Sequence, residues 1–183
     1  MSEEIGVLRT VVVRLESAAI EYMLTGSVAM AWYAQPRQTR DIDVVVELPE
    51  SKVELLVKAF SPDFYLDAET VRQEVLRRGM FSMIQETLVM KVDMILRKSD
   101  PYATGAFQRR RPIELVTGLS LTIISPEDLI LAKLRWAAEG ESDLQLRDVR
   151  NLVGAVENLD RAYLWGWASQ LGVDRLLAKV TSA

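Results

Sequence analysis

The stretch LTGSVAMAWYAQPRQTRDIDVVV, Leu24 to Val46, constrains the fold more than any other part of this chain. Apolar Ile20 to Leu24 reads as a strand, and Thr25-Gly26-Ser27 breaks it. Val28 to Ala34 resumes as a small-residue helix with Ser27 as its N-cap. Gln35 to Arg40 is a polar loop around Pro36, and Asp41 to Glu47 is a β-branched strand. Strand, helix and strand in such quick succession call for a sheet with helices packed on it, an α/β core.

Two acids open the second strand. Side chains alternate along a strand, so Asp41 and Asp43 share a face with Cα atoms about 7 Å apart. Two like charges so placed resist joint ionisation unless a cation compensates them. Mg²⁺ or Mn²⁺ suits such a site, because Mg²⁺ takes a few carboxylates and completes its shell with water and substrate phosphates. Gly26 lets a backbone approach a ligand closely, and the free N–H groups of the helix that follows form an anion site that Ser27 extends. The other reading of these pieces is a turn with a helix cap and a solvated strand-end acid.

Composition excludes several chemistries. The 183 residues contain no cysteine and no histidine. Disulfides, thiolate zinc sites, cysteine nucleophiles and histidine-based triads are therefore absent. Catalysis would fall to carboxylates, lysine, hydroxyls or a metal held by oxygen. Hydrophobic residues at 49% and charged residues at 26% are those of a globular protein. No run suggests a membrane span and the MSEE start lacks a basic leader, so the expected location is cytoplasmic, with no membrane partner. A net charge of −4 gives no general attraction to nucleic acid.

The remaining chain reads as follows. Leu8 to Ala19 has helical spacing. Pro49 and Ser51 introduce a helix through Phe60, and Asp67 opens another closed by Gly79. Met80 to Gln85 and Leu88 to Leu96 form an antiparallel hairpin turning at Glu86-Thr87. Ser99 to Gly118 is an irregular loop with a short helix and a short strand, and Leu121 to Ile124 is one more strand. Ser125-Pro126-Glu127-Asp128 starts a helix, with Ser as N-cap and Pro at the first helical position. Helices continue to the end, broken near Gly140 and around Asn158. The expected organisation is a core over 1–124 and a helical C-terminal part over 125–183 packed on it as one unit.

Gly-Ser, thirteen residues, then Asp-hydrophobic-Asp-hydrophobic resembles the signature of the nucleotidyltransferase superfamily, whose fold DNA polymerase β shares. RQTRDIDVVV and SPEDLILAKLRWAAEGESDLQLRDVRNLV look most like the AbiEii-type small nucleotidyltransferases, the resemblance spanning Tyr22 to Leu152. It implies a mixed sheet flanked by helices, and transfer of a nucleoside monophosphate from an NTP to an acceptor. The acceptor would be tRNA, a protein or a small molecule, and the role that of a toxin in a toxin–antitoxin pair, with a cognate antitoxin or a homodimer as partner. It implies that Asp41, Asp43 and, from a later strand, Asp93 are the catalytic and metal-binding acids, one cation using all three and another only the first two. Asp93 is then also the general base. The alternative for Asp93 is a salt bridge with Lys91 or an arginine.

Gly26, Ser27, Arg40 and Lys133 are the nucleotide-binding residues on this reading, with Asp148 orienting Lys133. Both Lys133 and Asp148 also read as ordinary solvated charges on amphipathic helices, and Asp148 reads better that way. Arg37 and Arg40 either serve a phosphate or screen the paired aspartates. Arg109, Arg110 and Arg111 either hold a phosphate or form a solvated face, the commoner case. Trp32, Trp136, Trp165 and Trp167 suit the core or an interface better than base stacking. A different class of function is also open: the same fold as a non-catalytic nucleotide- or protein-binding regulatory partner.

Overall fold

Apolar spacing of three and four places Leu8, Val11, Val12 and Leu15 on the buried stripe of α1 (Ser2–Ser17) in the structure, a computed structural model that describes residues 2–35, 41–140 and 142–181. Glu3 and Glu4 in its first turn and Arg14 in its last suit the helix dipole. The chain continues through β1 (Glu21–Thr25), α2 (Gly26–Tyr33) and β2 (Asp41–Glu47). A short 3-10 turn leads to α3 (Val53–Phe60), then β3 (Phe64–Tyr65) and α4 (Ala68–Arg77). Asp67 caps α4 by accepting from the Thr70 N–H at 2.7 Å. The helix stops at Arg78, which takes the left-handed conformation (φ 49°) expected of Gly79. Gly79 makes room for a different contact: a Cβ there would lie 1.8 Å from Glu74 Oε2, so the Glu74 carboxylate, which accepts from the Met80 N–H, would have to shift.

β4 (Met80–Gln85) and β5 (Met90–Leu96) form the expected hairpin, but Gln85 pairs with Met90. Leu88 and Val89 therefore belong to the loop, and Val89 has a φ of 51°. The segment expected to be irregular is more ordered than its Pro and Gly content suggests. Asp100 caps α5 (Pro101–Gln108), and β6 (Arg111–Val116) pairs with β7 (Leu119–Ile123). Four helices follow: α6 (Pro126–Gly140), α7 (Asp143–Ala155), α8 (Arg161–Gln170) and α9 (Asp174–Thr181). Ser125 caps α6 as its sequence indicates, accepting from the Asp128 N–H at 3.2 Å.

The strands form one mixed sheet in the order β3-β4-β5-β2-β1-β7-β6. β2 runs antiparallel to β1 and parallel to β5, which places both at the centre. Alternation divides the apolar residues between two clusters. Tyr22, Leu24, Ile42, Val44, Val92 and Met94 pack with α1, α3 and α4. Burying a side chain such as Leu56 or Phe60 completely stabilises by about 1.5–3 kcal/mol. Phe60 meets Phe64 edge-on at 5.3 Å, and the Arg14 guanidinium lies 5.5 Å from each ring. The second cluster joins α6 to α9 with Met23, Met30, Tyr102 and Phe107, on the other side of β1 and β2. Among the described residues no helix is long and apolar enough to cross a membrane.

Candidate active site

A cleft of about 570 Å³ opens between the central strands and the helices α5 and α6. Gly26, Ser27, Asp41, Asp43, Asp93 and Lys133 all line it, so the structure brings together the site residues expected from sequence. Arg40 is the exception, lying with Arg37 outside the described residues.

Gly26 has two reasons to be glycine. Its φ is +64°, and a Cβ built on it would lie 1.9 Å from Asp43 Oδ2. The close approach expected of a ligand is made within the chain by the Asp43 side chain. Contrary to the expectation from sequence, Ser27 does not cap α2. Thr25 occupies the N-cap position without a side-chain hydrogen bond, because the helix already begins at Gly26, and Ser27 is a buried residue of the first turn.

Register sets the acids together. Asp43 stands between Thr25 on β1 and Asp93 on β5, and Asp41 stands opposite Lys91. Burial pushes the Asp43 carboxyl above the usual carboxylate range, and the charges of Asp93 and Asp41 push it further; Lys133 and Lys91 pull the other way. Asp93 is 6% exposed and accepts from Ser82 Oγ at 2.6 Å and Lys91 Nζ at 2.7 Å. The salt bridge with Lys91 weighed for it from sequence is therefore present. The bond to Asp93 raises the Lys91 pKa, assisted by the charges of Asp93, Asp41 and Asp43.

Lys133 is 4% exposed on α6 and donates to Asp148 Oδ2 at 2.8 Å and Gln145 Oε1 at 3.1 Å, both on α7. Asp148, 1% exposed, is no solvated charge. Sequence reading missed Gln145, which is three residues before Asp148 and so on the same helix face; that spacing was the available signal.

The arginine run is structural. Arg109 bonds Glu127 at 3.1 Å and Asp128 at 3.4 Å and lies 3.8 Å from the Tyr163 ring centroid. Arg110 reaches Glu21 at 2.6 Å, and Arg111 reaches Glu127 at 3.9 Å. The triplet thus ties the junction of α5 and β6 to β1 and to the acidic first turn of α6. Trp167 packs on Tyr102 and Tyr163, whereas Trp32, Trp136 and Trp165 are exposed, Trp136 at the cleft.

Among the described residues, no group of three carboxylates is arranged as a ready cation cage. The donor chemistry still fits a hard divalent cation. Asp41 and Asp43 offer oxygen ligands two residues apart on β2, and burial first, then the charges of Asp93 and Asp41, make the ionised form of Asp43 costly without a cation beside it.

No family model and no curated protein sequence matches the chain. Solved structures do. A nucleotidyltransferase-like antigenic protein from Paracoccidioides brasiliensis matches with a TM-score of 0.66 and 16% identity, over 100% of this chain and 88% of its own. The antibiotic-resistance factor ANT(2'')-Ia matches with a TM-score of 0.58 and 12% identity, over 99% and 92%. The lincosamide antibiotic adenylyltransferase LnuA, solved with lincomycin bound, matches with a TM-score of 0.55 and 11% identity, over 85% and 98%. At such identities the likeness is one of fold, and the fold is that of the nucleotidyltransferases.

Proposed function

We propose that the chain is a Mg²⁺-dependent nucleotidyltransferase, which transfers a nucleoside monophosphate from an NTP to an acceptor hydroxyl. The acceptor oxygen bonds to the α-phosphorus, the α–β phosphoanhydride breaks, and pyrophosphate leaves. The observation that carries this reading is the placement of Asp43: packed on Gly26, beside Asp93, and within the field of Lys133 in one cleft.

Each residue has a role on this reading. Asp41 and Asp43 would hold the cation, with Asp93 the third carboxylate beside them. The cation supplies charge neutralisation at the phosphates. Gly26 and Ser27 open α2, whose N-terminus favours an anion. Lys133 offers a point charge to the triphosphate and is aimed by Asp148 and Gln145. Asp93 faces the same cleft and is our candidate for the group that takes the acceptor proton. Such transfers depend mainly on positioning and charge, so a site without histidine is sufficient.

Resemblance of the motifs to AbiEii-type proteins extends the proposal to a toxin of a toxin–antitoxin pair. The fold shared with LnuA, a lincosamide antibiotic adenylyltransferase solved with lincomycin bound, supports a small-molecule acceptor instead.

Thermal unfolding with each of the four NTPs, with and without Mg²⁺, tests the reading. A ligand at 100 times its Kd adds ~2.7 kcal/mol, and each kcal/mol moves Tm by roughly 2–4 °C for a domain of this size. The expected result is a Mg²⁺-dependent rise with at least one NTP that Asp43→Asn abolishes. No rise with any NTP would overturn the proposal. One observation favours a second reading, a non-catalytic nucleotide-binding partner: both carboxylate oxygens of Asp93 are already engaged. Binding without release of pyrophosphate in any acceptor mixture would select it.

A further inference from the structure

In an in-line displacement at phosphorus the attacking oxygen approaches from the side opposite the leaving group. Sheet order turns that rule into a direction. Gly26 and Ser27, which follow β1, lie on the pyrophosphate side in the proposed function; Asp43 on β2 comes next, then Asp93 on β5, and then Met80 on β4. The cleft does not end at Asp93. It runs on over Ile95 and Met80 to Tyr102 and Ala103 of α5, with Ala132 and Arg135 of α6 in the same lining. The Arg135 guanidinium lies 6.0 Å from the Tyr102 ring centroid, so the two helices meet around this half of the cleft.

The surface of that half is apolar and its available charges are positive. Three cations of the cleft are committed: Lys91 to Asp93, Lys133 to Asp148 and Arg97 to Glu47. Lys98 and Arg135 also line the cleft, and among the described residues neither is in an ion pair. Lys98 donates to the Arg78 carbonyl oxygen, and Glu74, whose carboxylate feels its charge, is paired with Arg77. The acids whose charges reach Tyr102 are bonded elsewhere: Asp100 caps α5, and Asp128 accepts from Ser125 and Tyr163. An ammonium entering here would meet two cations and an Asp93 already answered by Lys91. We propose that this half of the cleft is the acceptor pocket, and that the acceptor is a hydroxyl compound with an apolar body and one acidic group, a carboxylate or a phosphate, received by Lys98 and Arg135. The inference rests on the proposed function and deepens it by giving the acceptor a chemical class. The planar fork of Arg135 suits either anion, and Lys98 adds a point charge.

Anilinonaphthalene sulfonate, an apolar body with one anionic group, is the probe, followed by its fluorescence on the full chain. The wild type is expected to bind it, and Lys98→Met with Arg135→Met to weaken it by about 10-fold or more, the scale of a lost hydrogen bond to a charged group. Ala103→Phe, which fills the α5 wall, is expected to weaken it as well. Phenylacetate and phenyl phosphate are expected to displace the probe at lower concentration than phenethylamine, which has a similar body and the opposite charge. The more effective of the two anions then names the acidic group as carboxylate or phosphate. Saturating Mg²⁺ with the NTP that most raises Tm is expected to leave the probe bound, because pyrophosphate and acceptor occupy opposite sides of the acids.

Unchanged affinity in the Lys98 and Arg135 variant, or displacement by phenethylamine as readily as by the anions, overturns the inference. So does displacement by Mg²⁺–NTP, which would assign this half of the cleft to the nucleoside. Each of these results leaves the proposed function standing. No rise in Tm with any NTP overturns that function and the acceptor assignment with it. If the double variant does not fold by circular dichroism, the competition series and the Mg²⁺–NTP addition on the wild type still decide the matter.

Discussion

Asp43 sets stability against chemistry. Its folded pKa is above the value it has in the unfolded chain, with burial the largest cause and Asp93 and Asp41 next. Between those two values the native state holds more proton than the unfolded state, so stability falls as pH rises through that window, and above it the full penalty applies. Asp43→Asn removes the penalty. The ligand-free variant is predicted to melt higher than wild type at pH 8, with a smaller difference at pH 4, measured by thermal denaturation in buffers of matched ionic strength. A lower melting temperature at pH 8 would show that the carboxylate stabilises the apo protein. Gly26→Ala acts on the same contact. Its Cβ would meet Asp43 Oδ2 at 1.9 Å, on a backbone at φ +64° that non-glycine residues occupy at a cost of about 1–3 kcal/mol. The variant is predicted to lose at least that much in urea titration, and Gly26→Ala with Asp43→Ala to regain part of it, because the clashes with the carboxylate go while the Cβ of residue 43, at 2.9 Å, and the backbone strain remain. The Gly-Ser pair and the two acids were each legible in the sequence as local features. Their packing against each other was not, since it depends on β1 and β2 pairing with Thr25 opposite Asp43.

At the scale of elements, α6 and α7 are joined by a buried polar link. Lys133 donates to Asp148 and Gln145, and both charged partners are almost wholly excluded from solvent. Removing one member leaves the other charge buried without its counter-ion, which typically costs ~3–5 kcal/mol. Asp148→Ala is therefore predicted to destabilise by that order in chemical denaturation. Lys133→Met with Asp148→Leu is predicted to recover most of the stability and none of the Mg²⁺–NTP response, which separates the structural role of the pair from its proposed work on phosphate. Equal loss in the single and double variants would mean that the pair contributes packing alone. Sequence placed Lys133 on the correct helix but favoured a solvated Asp148, because amphipathic spacing gives a face without saying what that face meets. The strands were more legible than the helix contacts for the same reason. Asp41 to Glu47 was bounded correctly by its β-branched run, whereas β3, with two residues, has too little pattern to stand out, and α5 was obscured by Pro101 and Gly105, which in fact begin and occupy it.

On the scale of the whole molecule, the sheet is shared between two clusters, and neither is built from one half of the chain. Val11, Leu24, Val44 and Met94 belong to the first, while Met23 from the intervening position of β1 belongs to the second with Leu134, Val149 and Leu177. Met30 from α2 and Tyr102 and Phe107 from α5 are also covered by the C-terminal helices. The cleft depends on the same arrangement, because its acids come from β2 and β5 and its buried lysine from α6. Cutting the chain after Ile124 would expose Met23, Met30, Tyr102 and Phe107 together and leave Arg109 without Glu127 and Asp128. A fragment of residues 1–124 is therefore predicted not to fold cooperatively, and the full chain to unfold in one transition. Near-ultraviolet circular dichroism, which reports tryptophan and tyrosine packing, and far-ultraviolet circular dichroism, which reports the helices, should then give coincident urea curves for the full chain. Two separated transitions, or a fragment with a sharp one of its own, would mean that the sheet reaches stability without the helices that cover its cleft face, and the cleft would then be an interface between two independently folding parts.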